Sequence, residues 1–154
     1  TLVPTDSSGV KAVFKTLKRG GFSIILPDHV PEPSGGVVVP FFGVKTLTST
    51  LAPKLASKTK CALVGLSCIR RDDNRGFDIY CYKLDDPALY DRNTEVATHA
   101  LNIAMQEMIE DQCSHYMWGY RRFKRIPNLG NPYRADSSKL QAFLKSAKDK
   151  RYKT

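Results

Sequence analysis

The chain has 154 residues, 42% of them hydrophobic and 25% charged, and a formal net charge of +9. That length favours one domain, and the balance of apolar and charged residues excludes a disordered, collagen-like or coiled-coil chain. Residues 1–117 hold 13 Lys+Arg against 13 Asp+Glu and residues 118–154 hold 11 against 2, so the whole excess lies in the last 37 residues. Such an end seeks an anionic partner, whether nucleic acid, an acidic membrane surface, a phosphorylated lipid or an acidic protein.

Ser7 or Ser8 caps a predicted helix to about Arg19, with Val10, Val13, Phe14 and Leu17 as its apolar stripe and Gly20-Gly21 as its stop. Phe22 to Pro27 is short, apolar and β-branched, and reads as a strand buried on both faces, as in a parallel sheet covered by helices. The Pro- and Gly-rich stretch from Asp28 to Gly36 excludes regular structure and makes an exposed loop. Val37 to Phe42 is a second apolar run, followed by a predicted helix near Thr48 to Lys58 that Pro53 disturbs unless the helix starts there. Cys61–Ile69 and Gly76–Leu84 form two strands of a predicted hairpin around Asp72-Asp73-Asn74.

Thr94 opens the longest predicted helix, to about Asp111, with Val96, Ala100, Leu101, Ile103, Ala104 and Met108 toward the core. Tyr116 to Arg125 mixes aromatics with cations, and Ile126 to Arg134 is a loop. Ser137 or Ser138 caps a last amphipathic helix carrying Leu140, Phe143 and Leu144, before a basic tail, Lys145 to Lys153, expected to fray. The apolar run Val37–Val44 is too short to span a bilayer, so no transmembrane helix or signal peptide is expected in this segment. Cys61, Cys68 and Cys81 read as reduced core residues of a cytosol-facing protein, and no cysteine or histidine spacing suggests a metal site. The start at Thr1 reads as that of a piece of something longer.

The motifs for P-loop, dinucleotide, zinc-protease and serine-hydrolase chemistry are all missing. Two distinctive segments remain. One runs from Leu26-Pro27-Asp28-His29 to Gly36-Val37-Val38-Val39-Pro40-Phe41-Phe42-Gly43, the other from Tyr116-Met117-Trp118-Gly119-Tyr120-Arg121-Arg122-Phe123-Lys124-Arg125 to Pro127. Together they resemble the bacterial lipid A late acyltransferases, and the order from Val10 to Pro127 follows that family's arrangement. Two departures stand out: Cys113-Ser114-His115 where the family usually has Pro-Glu-Gln, and Tyr120 where it usually has His.

The resemblance implies an α/β fold with a mixed β-sheet flanked by helices, of the lysophospholipid/glycerolipid acyltransferase type, with residues 1–134 as the C-terminal half of the domain and 135–154 as a basic appendage. It implies transfer of a fatty acyl group from acyl carrier protein to a hydroxyl of a phosphorylated glucosamine lipid, the lipid A precursor, on the cytoplasmic face of the bacterial inner membrane. No cofactor beyond the acyl carrier co-substrate is implied, and no nucleic acid. The family's catalytic HxxxxD or HxxxxE motif is absent, because Ser34, Ala104 and Tyr120 stand five positions after His29, His99 and His115. In the family that motif and a membrane anchor lie N-terminal to this region, so no catalytic residue is assigned here and the isolated chain is expected to be inactive.

For the site, Asp28 either orients a substrate group or opens the loop, and His29 is either a direct participant or an ordinary loop histidine. Gly36 belongs to the Gly-containing loop, and Phe41 and Phe42 are pocket wall or core. Trp118 beside Arg121, Arg122 and Lys124 forms an anion-binding or interfacial contact, or a packed aromatic pair under a solvated basic face. The competing reading is a small basic module that grips nucleic acid or a membrane surface through residues 118–154 without catalysis. A relic retaining only the scaffold is a third reading.

Overall fold

The computed structural model describes residues 2–4 and 6–151, with side chains through residue 146. Helix α1, Ser7–Lys18, is capped by Asp6, whose side chain accepts from the backbone N–H groups of Ser8 and Gly9. Strands β1, Gly36–Phe41, and β2, Val44–Ser49, pair antiparallel and lead into α2, Leu51–Thr59. Strands β3, Leu63–Arg70, and β4, Phe77–Leu84, form a second antiparallel pair. Helix α3, Thr94–Asp111, and helix α4, Ser137–Arg151, complete the elements.

The architecture is α/β, but both ladders among the described residues are antiparallel two-stranded hairpins rather than one mixed sheet. The expected strand at 22–27 does not form, and Phe22, Ile24 and Leu26 are 85%, 77% and 62% exposed. A strand buried on both faces needs a neighbour on its edge and layers over both faces, and among the described residues 22–27 joins neither two-stranded ladder. The helix expected from Thr48 begins three residues later. Thr46 and Thr48 instead pair with Val39 and Val37, as β-branched side chains favour, and Pro53 falls in the first turn of α2, where its missing N–H costs no helix bond.

The predicted hairpin at 61–84 forms, with its turn tied by a bond from the Arg71 N–H to the Gly76 carbonyl. Its cysteines are not core: Cys68 and Cys81 are exposed, as is Cys113, and Cys61 is half-buried. Cys68 and Cys81 sit on the outward face of the ladder with Val64, Leu66 and Ile79. Helix α3 is where it was expected, but its buried stripe is Ala97, Ala100, Leu101, Met105 and Ile109, whereas Val96 and Ile103 are exposed. Thr98 and Asn102 are buried with the stripe, because Thr98 donates to the Thr94 carbonyl at 2.6 Å and Asn102 to the Pro40 carbonyl at 2.7 Å. Satisfying Pro40 fixes the helix rotation.

Phe41, Leu89, Ala100, Leu101, Met105 and Ile109 form the core. Full burial of a ring such as Phe41 contributes roughly 1.5–3 kcal/mol over leaving it exposed. Helix α4 runs to Arg151, through part of the basic tail expected to fray, and Lys153 lies outside the described residues. No helix among the described residues is long and apolar enough to cross a membrane.

Candidate functional site

The β1–β2 turn is made by two residues with positive φ, Phe42 at 48° and Gly43 at 72°, the pattern of a type I′ hairpin. Glycine adopts that conformation freely. A phenylalanine there is strained and is held by its surroundings. The Phe42 N–H donates to Gln106 Oε1 of α3 at 2.8 Å, and its ring meets Phe41 at 4.9 Å and Trp118 at 6.0 Å between centroids.

The segment 116–125 folds back on itself in tight turns, with N–H donations from Trp118 to Tyr116, Tyr120 to Met117 and Arg122 to Tyr120. Those turns send alternate side chains to different depths. Tyr116 reaches inward and donates from Oη to Asp28 Oδ2 at 3.2 Å. Burial first, and then the Asp28 charge, push its phenol well above the ordinary tyrosine range. Tyr120 Oη accepts from the Val30 N–H at 2.8 Å, and its ring lies 5.0 Å from His29. Trp118 packs edge-on against Tyr116 at 4.9 Å and donates from Nε1 to the Cys113 carbonyl at 2.9 Å.

Arg122 is 2% exposed, unlike the other cations of its run. Its Nη1 donates to the Leu47 carbonyl at 2.9 Å, its Nη2 to Thr48 Oγ1 at 2.7 Å, and the guanidinium lies 4.8 Å from the Phe41 ring centroid. Burial pulls its pKa below the ordinary arginine value, and Tyr116 and Asp28 oppose that shift. Asp28, Tyr116 and Arg122 are thus one electrostatic group beneath the aromatic surface.

The fold therefore brings Asp28, His29, Phe41, Phe42, Trp118 and Arg122 together, with Lys124 over the Tyr120 ring at 5.8 Å. Arg121 turns aside, exposed, toward Tyr133 at 5.9 Å. Gly36 lies at the far end of β1, wedged so closely that a Cβ would sit 2.7 Å from the Thr48 carbonyl oxygen and 2.8 Å from Pro31. Its identity is explained by backbone approach. Beside it an open groove of about 630 Å³ is lined by Val38, Leu47, Ile126 and Pro127, with Lys124 and Arg125 among its lining residues.

Sequence reasoning gave no role to Tyr120, Asn102 and Thr48. The signal for Asn102 was a polar residue between Leu101 and Met105 on the buried stripe, and for Thr48 an alternation with Thr46 opposite two valines.

A family model for bacterial lipid A biosynthesis acyltransferase matches residues 1–125, which include every residue of this cluster. The chain belongs to that family. It is 31% identical over 124 residues to the lipid A biosynthesis lauroyltransferase of Escherichia coli K12, covering 79% of this chain and 40% of the relative. It is 26% identical over 129 residues to the lipid A biosynthesis acyltransferase of Haemophilus influenzae Rd, covering 82% of this chain and 41% of the relative. This member of the family thus spans about two fifths of the length of the relatives it matches. Helix α4 lies beyond the matched residues.

Proposed function

We propose that this chain is the acceptor-side part of an acyltransferase that moves a fatty acyl group from acyl carrier protein to a hydroxyl of a phosphorylated glucosamine lipid, the lipid A precursor, at the cytoplasmic face of the bacterial inner membrane. The observation that carries this reading is that the family match covers the whole Asp28–Tyr116–Arg122 cluster and the aromatic surface above it.

In the proposed reaction a histidine with a carboxylate partner, in an HxxxxD or HxxxxE motif contributed by the remainder of a family-length protein, takes the proton of the acceptor hydroxyl. The oxygen attacks the thioester carbonyl, a tetrahedral oxyanion forms, and the carrier thiolate leaves. In this chain Asp28 and His29 stand at the edge of the reacting region, with Tyr116 and Tyr120 fixing their loop. Phe42 walls the acyl side, with Phe41 buried behind it and Trp118 at its outer edge, and Arg121 and Lys124 meet lipid phosphates at the surface. Arg122 supports that surface from below. In the same protein the apolar 22–27 segment joins a mixed sheet with strands that lie outside this chain, as its exposure invites.

The test replaces the matched segment of the E. coli lauroyltransferase with residues 1–125 of this chain. Acyl transfer from acyl carrier protein to a lipid A precursor is then assayed in membranes that contain the folded chimera. Transfer at an enzyme-like rate is expected. A chimera that folds to normal abundance without transferring, or an isolated chain that transfers unaided, overturns the reading.

A further inference from the structure

Trp118, the only tryptophan of the chain, is 53% exposed, and Met117 beside it is 73% exposed. The Trp118 N–H is already satisfied by the Cys113 carbonyl, so the exposed part of the ring is mostly apolar. The cations next to this apolar tip are unpaired: among the described residues no carboxylate lies within ion-pair distance of Arg121 or Lys124, while Arg125 pairs with Glu32 at 3.4 Å. An apolar tip followed in the same short segment by the uncompensated cations Arg121 and Lys124 matches the layered chemistry of an anionic bilayer surface, where rings and methionine enter the acyl boundary and cations meet the phosphates.

The outward face of the β3–β4 hairpin exposes more apolar area, with Leu66 57% and Ile79 67% exposed. Its charges cancel, however. Residues 70–85 hold four cations and four carboxylates, and Arg71 pairs with Asp73 and Asp78 while Lys83 pairs with Asp85. The hairpin segment thus has no net charge to draw it to an anionic surface, although Arg70 lies on the outward face over Phe77 outside these ion pairs, whereas residues 116–125 hold four cations and no carboxylate.

We propose that Met117 and Trp118 form a membrane-docking tip that enters the headgroup boundary of an anionic bilayer while Arg121 and Lys124 engage its lipid phosphates. The proposal deepens the acyltransferase reading and rests on it for the choice of a lipid surface over other polyanions. Docking at this point holds Phe42, Asp28 and His29 at the level of the headgroups, where a phosphorylated lipid acceptor presents its hydroxyls.

Because Trp118 is unique, its fluorescence reports on the tip alone. With the 154-residue chain and vesicles containing about 30 mol% phosphatidylglycerol, its emission shifts to the blue and is quenched by brominated acyl chains, and zwitterionic vesicles leave it unchanged. Arg121→Gln with Lys124→Gln weakens partitioning about 30-fold, since each cation near such a surface is worth about a tenfold step or less. Met117→Ser weakens it about tenfold and leaves the salt dependence intact. Circular dichroism checks that the variants fold. No shift with anionic vesicles overturns the proposal. So does binding that survives both variants and is lost on Leu66→Asp with Ile79→Asp, or a shift produced by acyl carrier protein or single-stranded DNA while vesicles give none. These vesicles contain no glucosamine lipid and no acyl donor, so docking can fail while the chimera still transfers, and the reverse.

Discussion

Arg122 Nη2 and Thr48 Oγ1 meet at 2.7 Å inside the protein, and Asn102 Nδ2 reaches the same hydroxyl oxygen at 3.2 Å from α3. Thr48 therefore joins the 116–125 segment to the β1–β2 hairpin and to the longest helix. Neither Arg122 Nε nor Asn102 Oδ1 has a protein partner, so the network is incompletely satisfied and cannot absorb a further loss cheaply. Arg122→Ala is expected to cost about 2–4 kcal/mol, because it strips two charge-assisted bonds and leaves the Leu47 carbonyl buried without this donor. Urea denaturation checks the figure. A double-mutant cycle with Asn102→Ala should be non-additive, since both side chains share one acceptor, and strict additivity would refute the shared network.

Tyr120 anchors the loop that carries Asp28 and His29. Tyr120→Phe keeps the ring beside His29 and removes only the acceptor for the Val30 N–H. The lost bond is worth about 0.5–1.5 kcal/mol, so hydrogen exchange at the Val30 amide should accelerate by roughly 2- to 12-fold while global stability changes little. Unchanged exchange at Val30 would show that Tyr120 does not hold the loop.

Helix α3 and the β3–β4 hairpin were legible in the sequence because their signals are local: long periodicity in one, and two apolar runs around an Asp-Asn turn in the other. The rotation of α3 was not, because Asn102 takes its place from the Pro40 carbonyl, 62 residues away. The pairing of Asp28 and Phe42 with the 116–125 segment was legible only as family order, without its contacts. Arg122 illustrates the limit. In a run of four cations it reads as surface, and only acceptors 74 and 75 residues distant make its burial tolerable. The segment 22–27 failed for the opposite reason, since its residues suit a buried strand but burial also requires a neighbour.

Gly36 gives a test that separates packing from substrate contact. A Cβ there would press on the Thr48 carbonyl, which is fixed in the ladder, and on Pro31 and Leu47. Gly36→Ala is expected to destabilise by about 1–3 kcal/mol through overpacking. If thermal unfolding of the variant matches the parent, the strand end is looser than the geometry indicates.

Asp136 supplies a pH-dependent cap. Its Oδ1 accepts from the Ser138 hydroxyl at 2.6 Å and from the Lys139 N–H at 2.8 Å, and these bonds, led by the hydroxyl, hold its carboxyl below the ordinary value of 3.8. A depressed folded-state pKa means stabilisation that is complete above the unfolded value and is lost as pH falls through the folded one. The Lys139 amide signal in NMR should therefore titrate with a midpoint below 3.8. Asp136→Asn should keep the cap and abolish the titration, and Asp136→Ala should lose both. A midpoint above the ordinary aspartate value would contradict the cap.

Phe42 carries strain at the place where the proposed acyl wall begins. Asparagine accepts positive φ far better than phenylalanine, so Phe42→Asn relieves backbone strain while removing the contacts with Phe41 and Trp118. The two effects are each of order 1 kcal/mol and opposed, so stability should change by less than about 1 kcal/mol. Acyl transfer by the chimera should nevertheless fall about tenfold or more, because the ring that spans the hairpin turn and Trp118 is gone. A folded Phe42→Asn chimera with parental activity would remove Phe42 from the wall. A loss of several kcal/mol with unchanged specific activity would make the ring a packing element alone.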